Sequence, residues 1–295
     1  MTVHDQTIFW PHGARMALSI VVNVEEGAEY NPLEGDAFAE SVDEAKASLG
    51  KGQRNVANES NYRYGINEGG PRILRLLEKY DVKATFTAAA VALERAPELT
   101  HAIVSGGHEV CAHGHRWIHQ FRMDEEREAQ FIKDAVASIK QTTGKRPVGW
   151  LSRYLYSPNT RRLLLENGFE YHMDDYSSDT PFWEQVGKDY MLVLPYAMDS
   201  NDFKLWGDPA ISMQQWLQYA TDSFDWLHWE GKQLPRMMSL GLHQRIIGRP
   251  GRIRYLEEFL KHVRKFPDVW VAPRKDIANW WRQHHPPADI MDKKY

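Results

Sequence analysis

Cysteine is almost missing from this chain: Cys111 is the single one among 295 residues. A lone cysteine excludes an internal disulfide and fits a reducing compartment, so a cytoplasmic location is expected. Long apolar runs are missing too. None approaches the roughly 18 residues of a membrane span. The first ten residues carry no apolar signal core. Neither sign of charge dominates, with a formal net charge of -4 and a pI of about 6.4. Nothing forms the basic stripe of a nucleic-acid binder. Neither membrane nor nucleic acid is therefore an expected partner. Internal repeats, low-complexity tracts and linkers are also lacking, so residues 1–295 are expected to form one catalytic domain. The polar end, 286–295, is expected to be a loose tail or an oligomer contact.

What is present supports a large core: 42% of residues are hydrophobic and 12% aromatic. Eleven tryptophans are many for this length. Such residues serve cores and subunit interfaces more often than ligand platforms, which suggests a homo-oligomer. Ala14–Val24 reads as a buried strand. Further strands are expected at 84–88, 108–112, 147–151, 190–194, 237–242 and 269–271. Helices are expected at 72–80, 97–105, 124–143, 157–166, 213–229 and 252–265. In the first of these helices Ile73, Leu76 and Leu77 share a face at i, i+3, i+4. Asp124–Thr143 has acids in its first turn and Gly144 after it, which suit a helix start and stop. Strands alternating with helices of ten or more residues imply a parallel sheet. Six or seven such units suggest a closed or nearly closed α/β barrel. Residues 31–61 are polar and without clear period, long for a structureless connection, and read as an insertion or lid.

In such barrels chemistry is done at the C-terminal ends of strands. Three strand ends carry carboxylate or imidazole. Glu25 and Glu26 follow the first strand. Neighbours on a strand point to opposite faces, but a turn at the strand end could bring both into one pocket. Two carboxylates there would repel, raising the proton affinity of one and suiting it to act as a general base. The bland alternative is a solvated acidic turn. His113, His115 and His119 follow the third strand. Four residues beyond His113 stands Trp117; His113 and His115 share a face if the segment is extended, and His115 and His119 are four apart if it is helical, but neither is a standard closed metal site and no thiolates help. His243 ends the run MMSLGLH and could protonate a leaving amine. Arg153, after PVGWL, could anchor a carboxylate or hold a catalytic acid in its charged form. The run Tyr171–Tyr176 holds two acids, one of which could orient Arg153 or His243. Asn23, Trp117 and Asp175 are expected to contact substrate. Cys111 is read as buried, with nothing marking it as a nucleophile. The glycines of Gly248–Arg252 lack the phosphate-loop spacing, and the run reads as a turn before a helix.

In this order the stretches WPHGARMALSIVVNVEEG, HEVCAHGHRWIH, TGKRPVGW, SPNTRRLL, DTPFW and SLGLHQRIIGRPGR resemble the polysaccharide deacetylase family (NodB homology domain). The resemblance runs from about Trp10 to His284. It is similar above all to the branch of metal-independent allantoinases and cyclic imide hydrolases. It implies a distorted (β/α)7 barrel. The family's first motif, Thr-Phe-Asp-Asp-Gly, supplies a general base and a metal ligand, and here those places hold Glu25 and Glu26. Its His-x-x-x-His ligand pair falls on His113 and Trp117. Its arginine matches Arg153, and its Leu-His general acid matches Leu242-His243. Loss of the second histidine argues against the usual zinc site, so no cofactor is expected. If zinc is bound, Glu26 and His113 would hold it. The stretches around Leu151–Arg153 and Ile66–Pro71 depart from the allantoinase-like pattern.

The expected activity is hydrolysis of carbon–nitrogen bonds other than peptide bonds, on a small amide or cyclic amide. Glu25 or Glu26 takes the proton of water, with proton affinity raised by its neighbour and the Trp117 wall. His243 donates to the leaving nitrogen, and His113 with Arg153 or backbone amides stabilises the oxyanion. Two other readings stand beside it: a metal-dependent deacetylase of N-acetylated sugars, and a non-catalytic family member that binds a ligand.

Overall fold

Met16–Val24 carries no charge and is buried along its whole length. It forms β1, the strand on which the rest of the sheet is assembled. The structure, a computed structural model, describes residues 9–207 and 209–287. The other strands are β2 (Thr85–Ala88), β3 (Glu109–Ala112), β4 (Gly149–Trp150), β5 (Tyr171–His172), β6 (Phe182–Val186), β7 (Asp189–Val193), β8 (Arg236–His243) and β9 (Val269–Val271). Seven of them run parallel in the order β7-β5-β4-β3-β2-β1-β8. This curled sheet, with helices between its strands, is the distorted (β/α)7 barrel expected. It is not closed by pairing: among the described residues β8 has no ladder to β7 or β6. β6 pairs antiparallel with β7 as a hairpin at the edge, a strand with no counterpart in the sequence-based expectation. β2 and β9 share one edge of β1, β2 along Val21–Val24 and β9 along Met16–Leu18.

The period-two alternation of β1 decides where each side chain goes. Leu18, Ile20 and Val22 pack with the helices in the larger apolar cluster. Ala17 and Val21 pack with Cys111, Leu192 and Met237 inside the curl of the sheet. Burial of each large aliphatic side chain contributes about 1.5–3 kcal/mol. Cys111 is fully buried there.

The long helix spans Glu125–Thr143, with Asp124 accepting the Arg127 N–H as its cap and Gly144 leaving the helix at φ 73°. Helices at 97–105, 160–166, 213–230 and 250–263 match their expected places to within a few residues. Residues 31–61 are more ordered than a plain loop. A short turn of 3-10 helix occupies Pro32–Glu34, and a helix begins at Val56, capped by Asn55. That helix runs through a wide turn at 65–69 directly into the helix Gly70–Lys79. Two further helices, Ala90–Arg95 and Arg274–His284, have no sequence-based counterpart. Most of the expected tail, 288–295, lies outside the described residues. Among the described residues no helix is long and apolar enough to cross a membrane.

Candidate active site

The inward positions of three strands converge at their C-terminal ends. On β1 the inward series Ala17, Ser19, Val21, Asn23 leads to Glu25. On β3 the series Glu109, Cys111 leads to His113, and on β8 Met237, Ser239, Gly241 leads to His243. Asn23 and His243 are register partners across β1 and β8. Glu25, His113, Arg153, His243, Asn23 and Trp117 all line one cavity of about 470 Å³. That volume lies within the range of small-molecule sites. The sequence-based candidates outside it are Glu26 and Asp175.

Glu25 is buried, and its carboxylate meets three cationic or imidazole groups. Oε2 lies 2.7 Å from Nη1 of Arg245. Oε1 lies 3.4 Å from Nε2 of His243 and 3.5 Å from Nε2 of His113. Burial alone would raise its proton affinity. The Arg245 charge, then His243, outweigh burial and hold it well below the ordinary carboxylate value. The expected rise in proton affinity of one carboxylate therefore falls on Glu26, not on Glu25, the one that lines the cavity. The reason is Arg245, a fully buried guanidinium two residues beyond His243.

Glu26 lies in the turn after β1, closed by the Ala28 N–H on the Glu25 carbonyl, and does not line the cavity. Its Oε2 accepts the N–H of Glu25 at 3.0 Å. The carboxylate packs against Gly65, where an added Cβ would sit 2.4 Å from Oε1. Only glycine fits there. Burial raises its proton affinity, and Arg245, 3.5 Å away, opposes the rise without cancelling it. The two carboxylates share the Arg245 guanidinium, but only Glu25 lines the cavity.

His243 is oriented by Asp202, a residue sequence reasoning missed. Asp202 accepts from Nδ1 of His243 at 2.7 Å and from its backbone N–H at 2.8 Å. It also accepts the N–H of Ile247 at 3.1 Å. Burial opposes the charged ring, but Glu25 and then Asp202 overcome it and raise the imidazole to about 9. At neutral pH the ring therefore carries a proton on Nε2, facing Glu25 and the cavity. Replacement by Asp202→Asn removes part of that support. An alkaline limb of kcat/KM is expected near 9 in the unaltered chain and, in the variant, shifted toward the ordinary histidine value near 6.5. A pH–rate profile of the variant measures it. Asp174 and Asp175 do not orient Arg153 or His243: Asp174 binds His172 and the N–H of Ser152, and Asp175 pairs with Arg161.

His113 has both ring nitrogens engaged. Nδ1 lies 2.7 Å from the carbonyl of Leu151, which only accepts. Nε2 receives the indole N–H of Trp117 at 3.0 Å, and an indole only donates. The tautomer follows from these partners: the proton is on Nδ1, and Nε2 has a lone pair already in use. His113 in this state has no proton to offer an oxyanion, contrary to its expected role.

Arg153 lines the cavity, but its charge is paired with a residue that does not. Both terminal nitrogens bond the buried Glu40 carboxylate at 2.7 Å, and Nη1 also donates to the carbonyl of Trp117. Its guanidinium stacks 3.7 Å from the centroid of Trp117. Glu40 belongs to the 31–61 segment, so this ion pair ties that segment to the site.

The donor set does not fit a divalent cation. The Nε2 lone pair of His113 is taken by Trp117. Glu26 lies outside the cavity, and Arg245 already supplies positive charge between the two carboxylates. Among the described residues no group of three histidine, cysteine or acidic side chains is arranged to hold a metal.

A Schizosaccharomyces pombe protein bearing a polysaccharide deacetylase name is 34% identical over 299 residues, covering 94% of this chain and 93% of its own. The chain belongs to the polysaccharide deacetylase family. The family profile itself matches residues 60–172. This deacetylase-family chain is accordingly a hydrolase of carbon–nitrogen bonds. A peptidoglycan deacetylase of Helicobacter pylori is 25% identical, over 85% of this chain and 97% of its own. The crystal structure of PuuE allantoinase superposes with a TM-score of 0.90 at 41% identity, covering 95% of this chain and 94% of that one. The relatives thus carry different substrate names on one fold.

Proposed function

We propose that this chain hydrolyses a small amide or cyclic amide, of allantoin or imide type, with water activated by Glu25 and without a metal. The observation that carries the reading is the Trp117 indole N–H on Nε2 of His113, with Arg245 beside Glu25. Together they fill the ligand and charge positions that a metal would need. The likeness to PuuE allantoinase, at 41% identity, supports the same substrate class.

Glu25, held ionised, takes a proton from water as the water oxygen bonds to the carbonyl carbon. A depressed carboxylate is a weak base, which costs driving force. The compensation is that base and acid stand in their working states together at neutral pH. His243 gives its Nε2 proton to the leaving nitrogen as the carbon–nitrogen bond breaks. The acid proton now on Glu25 then crosses the 3.4 Å gap to Nε2 of His243. The pair is restored, and the net reaction consumes one water.

Protein stripped of metal and protein loaded with zinc should be assayed on allantoin, hydantoin, succinimide, dihydrouracil and N-acetylglucosamine oligomers. Turnover of a cyclic amide, equal in both preparations, is expected. Turnover only of the acetylated sugars, and only with zinc, would overturn the proposal in favour of a metal-dependent deacetylase.

A further inference from the structure

Stabilisation of the oxyanion is unassigned once His113 is an acceptor and both terminal nitrogens of Arg153 are held by Glu40. Tyr196 lines the same cavity as Glu25 and His243. Its hydroxyl oxygen receives the side-chain amide of Asn23 at 2.9 Å and that of Asn201 at 3.3 Å. Both amides are oriented by partners of fixed polarity. Asn23 Nδ2 also bonds the carbonyl of Leu242, which only accepts, while its Oδ1 takes the hydroxyl of Thr87. Asn201 Oδ1 accepts the N–H of Phe203, so its Nδ2 must face Tyr196. A phenol has two lone pairs and one proton. Both lone pairs are used, so the proton has to be donated. Gly241 makes room for this cluster: a Cβ there would lie 2.7 Å from the Tyr196 oxygen and from Asn201 Nδ2.

We propose that the Tyr196 hydroxyl is the oxyanion donor, bonding the substrate carbonyl oxygen as it gains charge. The assignment rests on the amide-hydrolase reading above and deepens it. No proton is transferred from Tyr196; it remains a phenol throughout. Two asparagines hold the donor so that no reorganisation is needed during the reaction, the condition under which such hydrogen bonds are most effective. Asn23 therefore acts through Tyr196, not on the substrate itself.

The test compares Tyr196→Phe and Asn201→Asp with the unaltered chain on the cyclic amide it turns over best. Phe keeps the ring and deletes the donor. Asp at 201 still caps the N–H of Phe203 but presents an acceptor to Tyr196, drawing its proton away from the cavity. Both variants are expected to lose about 10²–10³-fold in kcat, with KM changed far less. If Tyr196→Phe fails to fold, Asn201→Asp carries the test alone. Either folded variant with unaltered kcat, or with a loss confined to KM, overturns the proposal. Failure of the underlying reading is distinct: the unaltered, metal-stripped chain would then turn over no cyclic amide at all.

Discussion

Glu25→Gln is expected to lower kcat by about 10²–10⁴-fold, the usual worth of a positioned general base. Gln matches Glu in shape but cannot take the proton of water. It also cannot return a proton to His243, so both halves of the cycle fail. The neighbouring substitution Glu26→Gln is expected to change kcat by no more than a few-fold. Glu26 lies outside the cavity, and burial already favours its protonated, neutral form. Single-turnover and steady-state rates of the two variants make the comparison. Equal losses in both would mean that either carboxylate reaches the substrate, against the position of Glu26 outside the cavity.

Arg245→Met is expected to have the largest effect on stability. Arg245 is fully buried, with its guanidinium 2.7 Å from Glu25 and 4.1 Å from the ring centroid of Tyr62. Removing one partner of a buried ion pair costs about 3–5 kcal/mol, because the other charge is left uncompensated. The cost has a definite pH dependence. Glu25 is depressed in the folded chain, so its pairing contributes stability above the ordinary carboxylate value of 4.5. That contribution is lost as pH falls through the folded value. The destabilisation should therefore be greatest at neutral pH and shrink in acid, as read by urea unfolding at each pH. The acid limb of kcat/KM should also move to higher pH, because Glu25 no longer has the guanidinium to hold it ionised. Arg245→Lys keeps the charge and should keep most of both properties.

Much of the fold was legible in the sequence for a physical reason. Strands buried on both faces are near-continuous apolar runs, and β1 and β8 are the clearest of them. Helices with caps and glycine stops, such as Glu125–Thr143, carry their own boundaries. The strand β6 was not legible. Its residues Phe182–Val186 are mostly half-buried and include Glu184 and Gln185, so they make no apolar run. The helix Ala90–Arg95 was hidden in the same way, because its apolar residues continue those of β2 without a break.

Of the site, the sequence determined the identity and spacing of the strand-end residues: Glu25, His113 and His243 stand at inward positions because a strand has a period of two. Glu26 is kept out of the cavity by the turn after β1 and by its packing against Gly65, which the strand period does not foretell. The partners of those groups were decided by tertiary structure alone. Asp202 reaches His243 from 41 residues away, Arg245 reaches Glu25 from across β1 and β8, and Glu40 reaches Arg153 from the 31–61 segment. An isolated acid or arginine has no local pattern to mark it. Its proton affinity and its role depend on which charges and dipoles surround it after burial, and those are brought together only when the sheet curls.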